Sequence, residues 1–462
     1  MTTSLAIVPT PQGAEQDSAS TQDNIDPRFL KKEALDLYIA NTADTFAYEM
    51  QLLRKYNGVY YLYNGTVYQP LDEASFYHMA YHYALSENIR LKPSDCSQLL
   101  ESVKIRTAES YISPDREDYT VFKNCLVSNS NGVPIQVNPF DYFATIYVDA
   151  NYLMDANLSH PTADAFLATI SGNDPELITR HWEFWGYVLS SDYHAKAIFS
   201  LFGPTGNNGK STELSLLSAF LPGAVDSMAI KYMTSRFGRH RLQHRRFEYS
   251  ADEGAVNLDS ESIGFLKSAS GGDNMTADVK CKEMVSFTCK CKIAIASNYN
   301  IGMAYTAVDQ AFVRRLVTLP YPYSIPKECQ DPFIKQKLLM EKDAIATEAF
   351  RHYLRLKANN YRFTGHERFD QIQSIQCSPA TAEYDAIRDF SQKYCDFTDS
   401  SAFVTTQELY AAFAANYPTI FQDITGFSQA FALANQGRIS EKRKHTSTYN
   451  LRGYTGVKLV IA

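Results

Sequence analysis

The sequence predicts an α/β fold organised round a phosphate-binding loop, and three observations predict it. Gly203-Pro-Thr-Gly-Asn-Asn-Gly-Lys-Ser-Thr212 follows an apolar run, Ala197–Phe202, and leads into a helical stretch, Glu213–Phe220. That is the strand, glycine-rich loop and helix of a phosphate loop. Downstream, apolar strand-like runs alternate with helical ones, as in a three-layered nucleotide-binding core. On either side lie shorter mixed elements, and a chain of 462 residues has room for two to four domains.

The loop carries its own chemistry. Small residues let successive backbone N–H groups curl round a polyphosphate, and the helix N-terminus adds its dipole. Gly203, Pro204, Thr205, Gly206, Asn207, Asn208, Gly209, Lys210, Ser211 and Thr212 are therefore the expected nucleotide-binding residues, with ATP and Mg²⁺ as cofactors. Lys210 would reach the β and γ phosphates, and the Ser211 hydroxyl would ligate the metal. The usual pattern has four residues between its glycines, whereas five separate Gly203 from Gly209. Either the loop carries an extra residue or Pro204 occupies its first position.

The other elements follow in chain order. Residues 1–27 are rich in Ser, Thr, Gln and Asp, without the charged start and apolar stretch of a signal peptide, and read as a disordered tail. From 28 to 180 a mixed α+β domain is expected. It has a helix over Phe29–Met50, a hairpin over Gly58–Tyr68 turning at Asn64-Gly65, a helix over Ala74–Ser86 and a strand pair over Asn124–Val137. His78 and His82 share a helix face at i, i+4 spacing, and no third ligand accompanies them. The ATPase domain is expected over 181–363, and the polar stretch 364–379 reads as a linker. In 380–462, helices at Thr406–Ala415 and Ser428–Gln436 precede strands at Thr448–Leu451 and Val457–Ile461, the order of a winged-helix DNA-binding module.

Composition narrows the function classes. No apolar run approaches the ~20 residues of a membrane span. The eight cysteines show no C-x-x-C spacing, so reduced thiols in a cytoplasmic compartment are expected; Cys281, Cys289 and Cys291 lack a fourth zinc ligand nearby. A net charge of −7 argues against a protein coated in nucleic acid, but not against one that confines its cations to a channel. Two basic clusters stand out: Arg236, Arg239, Arg241, Arg245 and Arg246, then Arg438, Lys442, Arg443, Lys444 and His445.

The motifs after the loop add chemistry. Arg246–Glu253 is a strand ending in two carboxylates: Asp252 would hold Mg²⁺, and Glu253 would polarise the attacking water. Leu266-Lys-Ser-Ala-Ser-Gly-Gly-Asp273 precedes a hairpin over Met275–Thr288 that carries Lys280 and Lys282. Lys292–Asn298 is a buried strand ending in an amide that can bridge water and γ-phosphate. Asp309-Gln-Ala-Phe-Val-Arg-Arg-Leu316 places Arg314 and Arg315 before a strand, Leu316–Tyr321, where an arginine can reach a nucleotide on a neighbouring subunit.

Gly-Asn-Asn-Gly-Lys-Ser-Thr (206–212), Asp-Glu-Gly (252–254), Leu-Lys-x3-Gly-Gly-Asp (266–273), Ala-Ser-Asn (296–298) and Ala-Phe-Val-Arg-Arg-Leu (311–316) together resemble the superfamily 3 helicases. More closely they resemble the helicase part of the phage and plasmid primase-helicase family, related to the poxvirus primase-helicase. Trp185-Gly-Tyr-Val-Leu189, Asn124-Cys-Leu-Val with Asn138-Pro-Phe-Asp-Tyr142, and Arg452-Gly-Tyr-Thr-Gly-Val-Lys-Leu459 extend the likeness over most of 28–462.

The resemblance implies an AAA+-like ATPase core with an N-terminal helicase-associated domain. It also implies a homo-oligomeric ring, usually a hexamer, that moves on single-stranded and forked DNA. Lys280 and Lys282 would be the DNA-contacting hairpin residues, and Glu253, Asn298, Arg314 and Arg315 the catalytic ones. No N-terminal region is long enough for a primase, so primer synthesis is not expected and a separate primase or initiator is an expected partner. Two readings compete with a mobile-element replicative helicase: an origin-melting or remodelling ATPase, and a phosphate-loop kinase whose arginine-rich lid the 236–246 cluster would mimic.

Overall fold

The computed structural model describes residues 32–460 apart from 136–141, 156, 204, 236, 254–256, 279–283, 299–300, 304–308, 371–380, 419, 422, 436–437 and 446–449. At its centre five strands form one parallel sheet: β1 (Ile198–Phe202), β2 (Val225–Ser227), β3 (Phe247–Glu253), β4 (Lys292–Ser297) and β5 (Leu316–Pro320), in the order β5-β1-β4-β3-β2. A parallel sheet must be covered on both faces. The side-chain period of two distributes β4 accordingly: Ile293 and Ile295 enter one apolar cluster, Ala294 and Ala296 the other.

The face of Ala294 and Ala296 is covered by α1 (Pro175–Leu189), α2 (Lys210–Phe220) and α4 (Lys342–Ala358), that of Ile293 and Ile295 by α3 (Ser260–Gly271) with Met228, Ile230, Met233 and Leu242. Small residues set how closely the helices approach. A Cβ at Gly186 of α1 would collide with the Ala349 carbonyl of α4, so this crossing requires glycine. Asp174 caps α1 by accepting from the N–H groups of Glu176 and Leu177.

Outside the sheet, the N-terminal unit pairs Leu53–Tyr56, Val59–Tyr63 and Tyr68–Pro70 antiparallel, beneath helices Lys32–Asp44, Glu73–Ser86 and Pro93–Arg106. The Asn64-Gly65 turn forms as its residues dictate: Asn64 Oδ1 accepts from the Thr66 and Val67 N–H groups at 3.0 Å, and Gly65 has φ +98°. His78 and His82 lie exposed with ring centroids 4.3 Å apart, and no metal-holding group of three exists among the described residues. No described helix is long and apolar enough to cross a membrane.

Three local features differ from the sequence reading. Helix α1 runs unbroken through 180–181, where a domain boundary was expected, because Arg180, His181 and Trp182 are buried against the sheet unit. The stretch expected to start a linker is docked instead. Thr364 donates to Glu183 from its N–H (2.8 Å) and hydroxyl (2.7 Å), Arg180 donates to the Thr364 carbonyl (2.8 Å), and Asp370 accepts from Arg180 and from the Thr318 N–H (3.1 Å). Its polarity serves hydrogen bonds to the core; residues 371–380 lie outside the described ones.

At the C-terminus, the basic stretch Ser440–His445 is itself a strand. It pairs with Asn450–Thr455, which pairs in turn with Phe403–Thr405, so the cations occupy a sheet edge. The expected strands at 448–451 and 457–461 appear as Asn450–Thr455 and Lys458–Leu459.

One buried carboxyl gives the fold a pH dependence. Glu248 of β3 is fully buried, with neither oxygen hydrogen-bonded among the described residues. Burial, reinforced by the Asp226 carboxylate and opposed by Arg241 and Arg245, pushes it up to about 7. The folded state therefore favours the neutral acid. Stability is complete below the ordinary glutamate range and is lost as pH rises through 7, by about 3 kcal/mol at pH 8. Urea unfolding at pH 5 and pH 8 is expected to show that loss in the wild type and little of it in Glu248→Gln.

Candidate nucleotide site

The carboxyl ends of four adjacent strands stop level with one another. Pro320 of β5 pairs with Phe202 of β1, Phe202 with Ser297 of β4, and Ser297 with Glu253 of β3. In an open parallel sheet ligands bind beyond these ends. The loop 203–209 leaves β1 here and enters α2, Asn298 follows β4, and the two carboxylates of 252–253 end β3. Between Ile295 and Ser297 the partner strand runs from Ser250 to Glu253, three steps against two, so β3 bulges next to its acidic end. The side chains of Asp252 and Glu253, and all of Pro204, lie outside the description.

The loop's conformation suits an anion. Asn207 (φ +55°) and Gly209 (φ +92°) are left-handed, which turns successive amides the same way. The N–H groups of Thr205, Gly206, Asn207, Asn208 and Gly209 have no acceptor among the described residues. A Cβ at Gly206 would meet nothing within 4 Å, so that peptide borders open space. The N-terminus of α2 adds the positive end of its dipole. Five donors without acceptors make a cradle that a polyphosphate would complete.

Asn208 has a structural use in the loop. Asn208 is 3% exposed, and its Nδ2 donates to the Thr205 carbonyl at 2.6 Å, closing the loop from inside. A Cβ at Gly203 would strike that amide, which is why the loop opens with glycine.

Lys210 is buried, and its ammonium donates to Asn298 Oδ1 at 2.8 Å and to the Gly203 carbonyl at 3.4 Å. Two separate sequence motifs thus meet at one cation. The Ser211 side chain is exposed and its hydroxyl has no partner among the described residues, leaving it available to a metal.

Beneath the loop, Glu213 of α2 is fully buried. It accepts from His181 Nδ1 (2.8 Å), from Trp185 Nε1 and from the Tyr321 hydroxyl. Glu213, His181 and Tyr321 belong to no motif in the sequence. The available signal was a carboxylate on the apolar face of a short helix, which needs a buried donor.

The arginines separate. Arg315 donates to the Lys267 carbonyl and to Ser270 Oγ (3.2 Å), both in α3. Lys267 meets Asp309 at 2.6 Å, and Asp309 caps Gln310–Val313. Arg314 is exposed, and its guanidinium has no partner among the described residues. Both stand at the amino end of β5, a strand length of about 15 Å from the loop of their own chain.

The two basic clusters also differ. Arg239 pairs with Glu261, Arg241 and Arg245 with Asp226, and buried Arg246 donates to the Leu189 carbonyl, so these cations are spent within the chain. Arg236 lies outside the described residues, as do Lys280 and Lys282; the strands before and after those lysines, Asn274–Ala277 and Val285–Thr288, pair antiparallel. On the C-terminal edge strand Lys442 and Arg443 are exposed and without partners among the described residues.

Residues 201–315, from β1 to Arg315, match the family described as "Family of unknown function (DUF5906)". Comparison with curated proteins gives no match. The apo structure of NrS-1 C terminal region (305-718) is similar in fold, with a TM-score of 0.50 at 10% identity over 94% of this chain and 99% of that one. The A form apo structure of NrS-1 C terminal region-CTR gives a TM-score of 0.49 at 10% identity over 89% and 98%. At such identity the likeness is one of fold.

Proposed function

We propose that this chain is an ATP-dependent DNA helicase for the replication of a phage, plasmid or other mobile element, working as a ring on single-stranded DNA. One observation carries the reading: five amides without acceptors, next to Lys210 and Asn298, lie at the strand ends where Glu253 also stops. Lys210 moves from Asn298 to the β and γ phosphates, and the freed amide orients the attacking water. Glu253 polarises that water. Ser211 and Asp252 would hold Mg²⁺, which when bound neutralises charge between the phosphates.

The trans arginine is Arg314. Its distance from its own loop leaves a neighbouring subunit as the source of the γ-phosphate it meets, whereas Arg315 is spent on α3. Arg314→Ala is expected to lower kcat of the assembled ring by roughly 10³-fold while sparing nucleotide binding. Arg315→Ala is expected instead to lower the melting temperature. A ring in which Arg314→Ala hydrolyses ATP at the wild-type rate would overturn the assignment.

The C-terminal unit, with its cationic edge strand, is read as a winged-helix-like DNA-binding module, and Lys280 and Lys282 as pore contacts. A forked-duplex unwinding assay separates the helicase from an origin-melting ATPase, which would hydrolyse ATP on DNA without unwinding the fork. The kinase alternative loses its main support, because Arg239, Arg241, Arg245 and Arg246 are bound within the chain and leave no free arginine lid among the described residues.

The deciding experiment is hydrolysis by the purified protein with and without single-stranded DNA. DNA-stimulated turnover that Glu253→Gln abolishes, with ATP still bound, is the expected result. Turnover indifferent to DNA would remove the motor.

A further inference from the structure

We propose that Tyr321–Ile325, the segment leaving β5, is a positioning strap that aims the amides of the phosphate loop and is anchored on the buried Glu213 carboxylate. The proposal rests on the nucleotide-binding reading and assigns residues downstream of the 201–315 family match.

The strap touches the loop along its length. The Tyr321 N–H donates to the Phe202 carbonyl at 2.7 Å, carrying the β5–β1 ladder up to the first loop residue. The Ser324 hydroxyl donates to the Gly206 carbonyl at 2.9 Å, and the Ile325 N–H to the Asn207 carbonyl at 2.8 Å. In a trans peptide the carbonyl and the following N–H point in opposite directions. Holding the Gly206 and Asn207 carbonyls against the strap therefore turns the N–H groups of Asn207 and Asn208 away from it. Both belong to the set without acceptors among the described residues. The strap thus fixes the direction in which the loop offers its donors, before any phosphate arrives.

Tyr321 ties this arrangement to the catalytic lysine. It is fully buried, its ring centroid lies 5.7 Å from Lys210 Nζ, and its hydroxyl donates to Glu213, three residues beyond Lys210 on α2. Glu213 is held in turn by His181 and Trp185 of α1. One tyrosine therefore sets strap, loop and Lys210-bearing helix relative to one another. A glycine-containing loop has many conformations to lose on binding, and preorganisation removes that cost.

The test uses the full chain and a fluorescent ATP analogue, with melting temperature and steady-state hydrolysis measured in parallel. Ser324→Ala removes one exposed hydroxyl, so folding is expected to be unchanged. Its Kd and KM for ATP are expected to rise roughly five- to tenfold, with kcat within about twofold of wild type, the loss of one hydrogen bond expressed in binding. Tyr321→Phe keeps the ring and is expected to show the same split between KM and kcat. Wild-type Kd and KM in both variants, or a fall in melting temperature alone, would overturn the strap. A wild-type chain that binds no nucleotide would overturn the nucleotide reading itself, and the two failures are told apart by that one control.

Discussion

Lys210→Ala is expected to abolish ATP hydrolysis while leaving the fold intact. The ammonium donates to Asn298 Oδ1 and to the Gly203 carbonyl, and Lys210 is only 7% exposed. Phosphate oxygens are stronger acceptors than either, so under the proposed function a bound nucleotide would draw the lysine to them. Its charge matters most in the transition state, where negative charge builds on the leaving oxygens, and removing one such donor costs roughly 10²–10³-fold or more in kcat. The folded state loses little. Asn298 is exposed and returns to water, and the Gly203 carbonyl has a second lone pair. A malachite-green phosphate assay, with circular dichroism to confirm folding, checks both halves of the expectation. Turnover within about threefold of wild type would overturn the phosphate-binding role of Lys210, because it lies far inside the cost of a lost donor.

Arg180→Ala is expected to be the most destabilising single change, by roughly 3–5 kcal/mol. Arg180 is fully buried and spans three elements: Nε donates to the Thr318 carbonyl in β5 (2.8 Å), one terminal nitrogen to the Thr364 carbonyl (2.8 Å) and the other to Asp370. Burial lowers the Arg180 pKa by penalising the cation, and Asp370 opposes that shift. Removing the arginine leaves the half-buried Asp370 carboxylate, whose pKa burial already raises, without its cation. Asp370→Asn is expected to cost less than Arg180→Ala, since an amide oxygen can still accept from the Thr318 N–H. Denaturant titration of the three proteins gives the comparison. The same change should free residues 364–370 from α1, which limited proteolysis at this segment would report.

Much of the central sheet was legible in the sequence because period and punctuation act locally. Ala197–Phe202 and Lys292–Asn298 are apolar runs too short for helices, and they became β1 and β4. The Asn64-Gly65 turn declared itself through residues that tolerate left-handed backbone. The strand Ser440–His445 was not legible. Its cations carry no apolar alternation, and it is a strand only because Asn450–Thr455 pairs with it. The polar run from Thr364 likewise read as a linker, since polarity alone does not tell a solvated loop from one hydrogen-bonded to a core.

By itself the sequence determined the loop, its lysine, the acidic and amide residues that follow, and the order in which they occur. These are matters of residue type and short spacing. Which groups meet was decided by tertiary structure alone: Lys210 with Asn298, Glu213 with His181 and Tyr321, and Arg180 with Asp370 lie 88, 32, 108 and 190 positions apart. The parallel sheet brings Lys210 and Asn298 together, because its crossovers return β1 and β4 to the same carboxyl edge, and α1 packed on that sheet carries His181 and Arg180 to their partners. Burial then selects among residues that look alike in sequence. It ties Arg315 to α3 and leaves Arg314 in solvent, and it consumes four arginines of a basic cluster in ion pairs and a carbonyl contact. A charge's partner depends on what folding places beside it, and residue type does not carry that information.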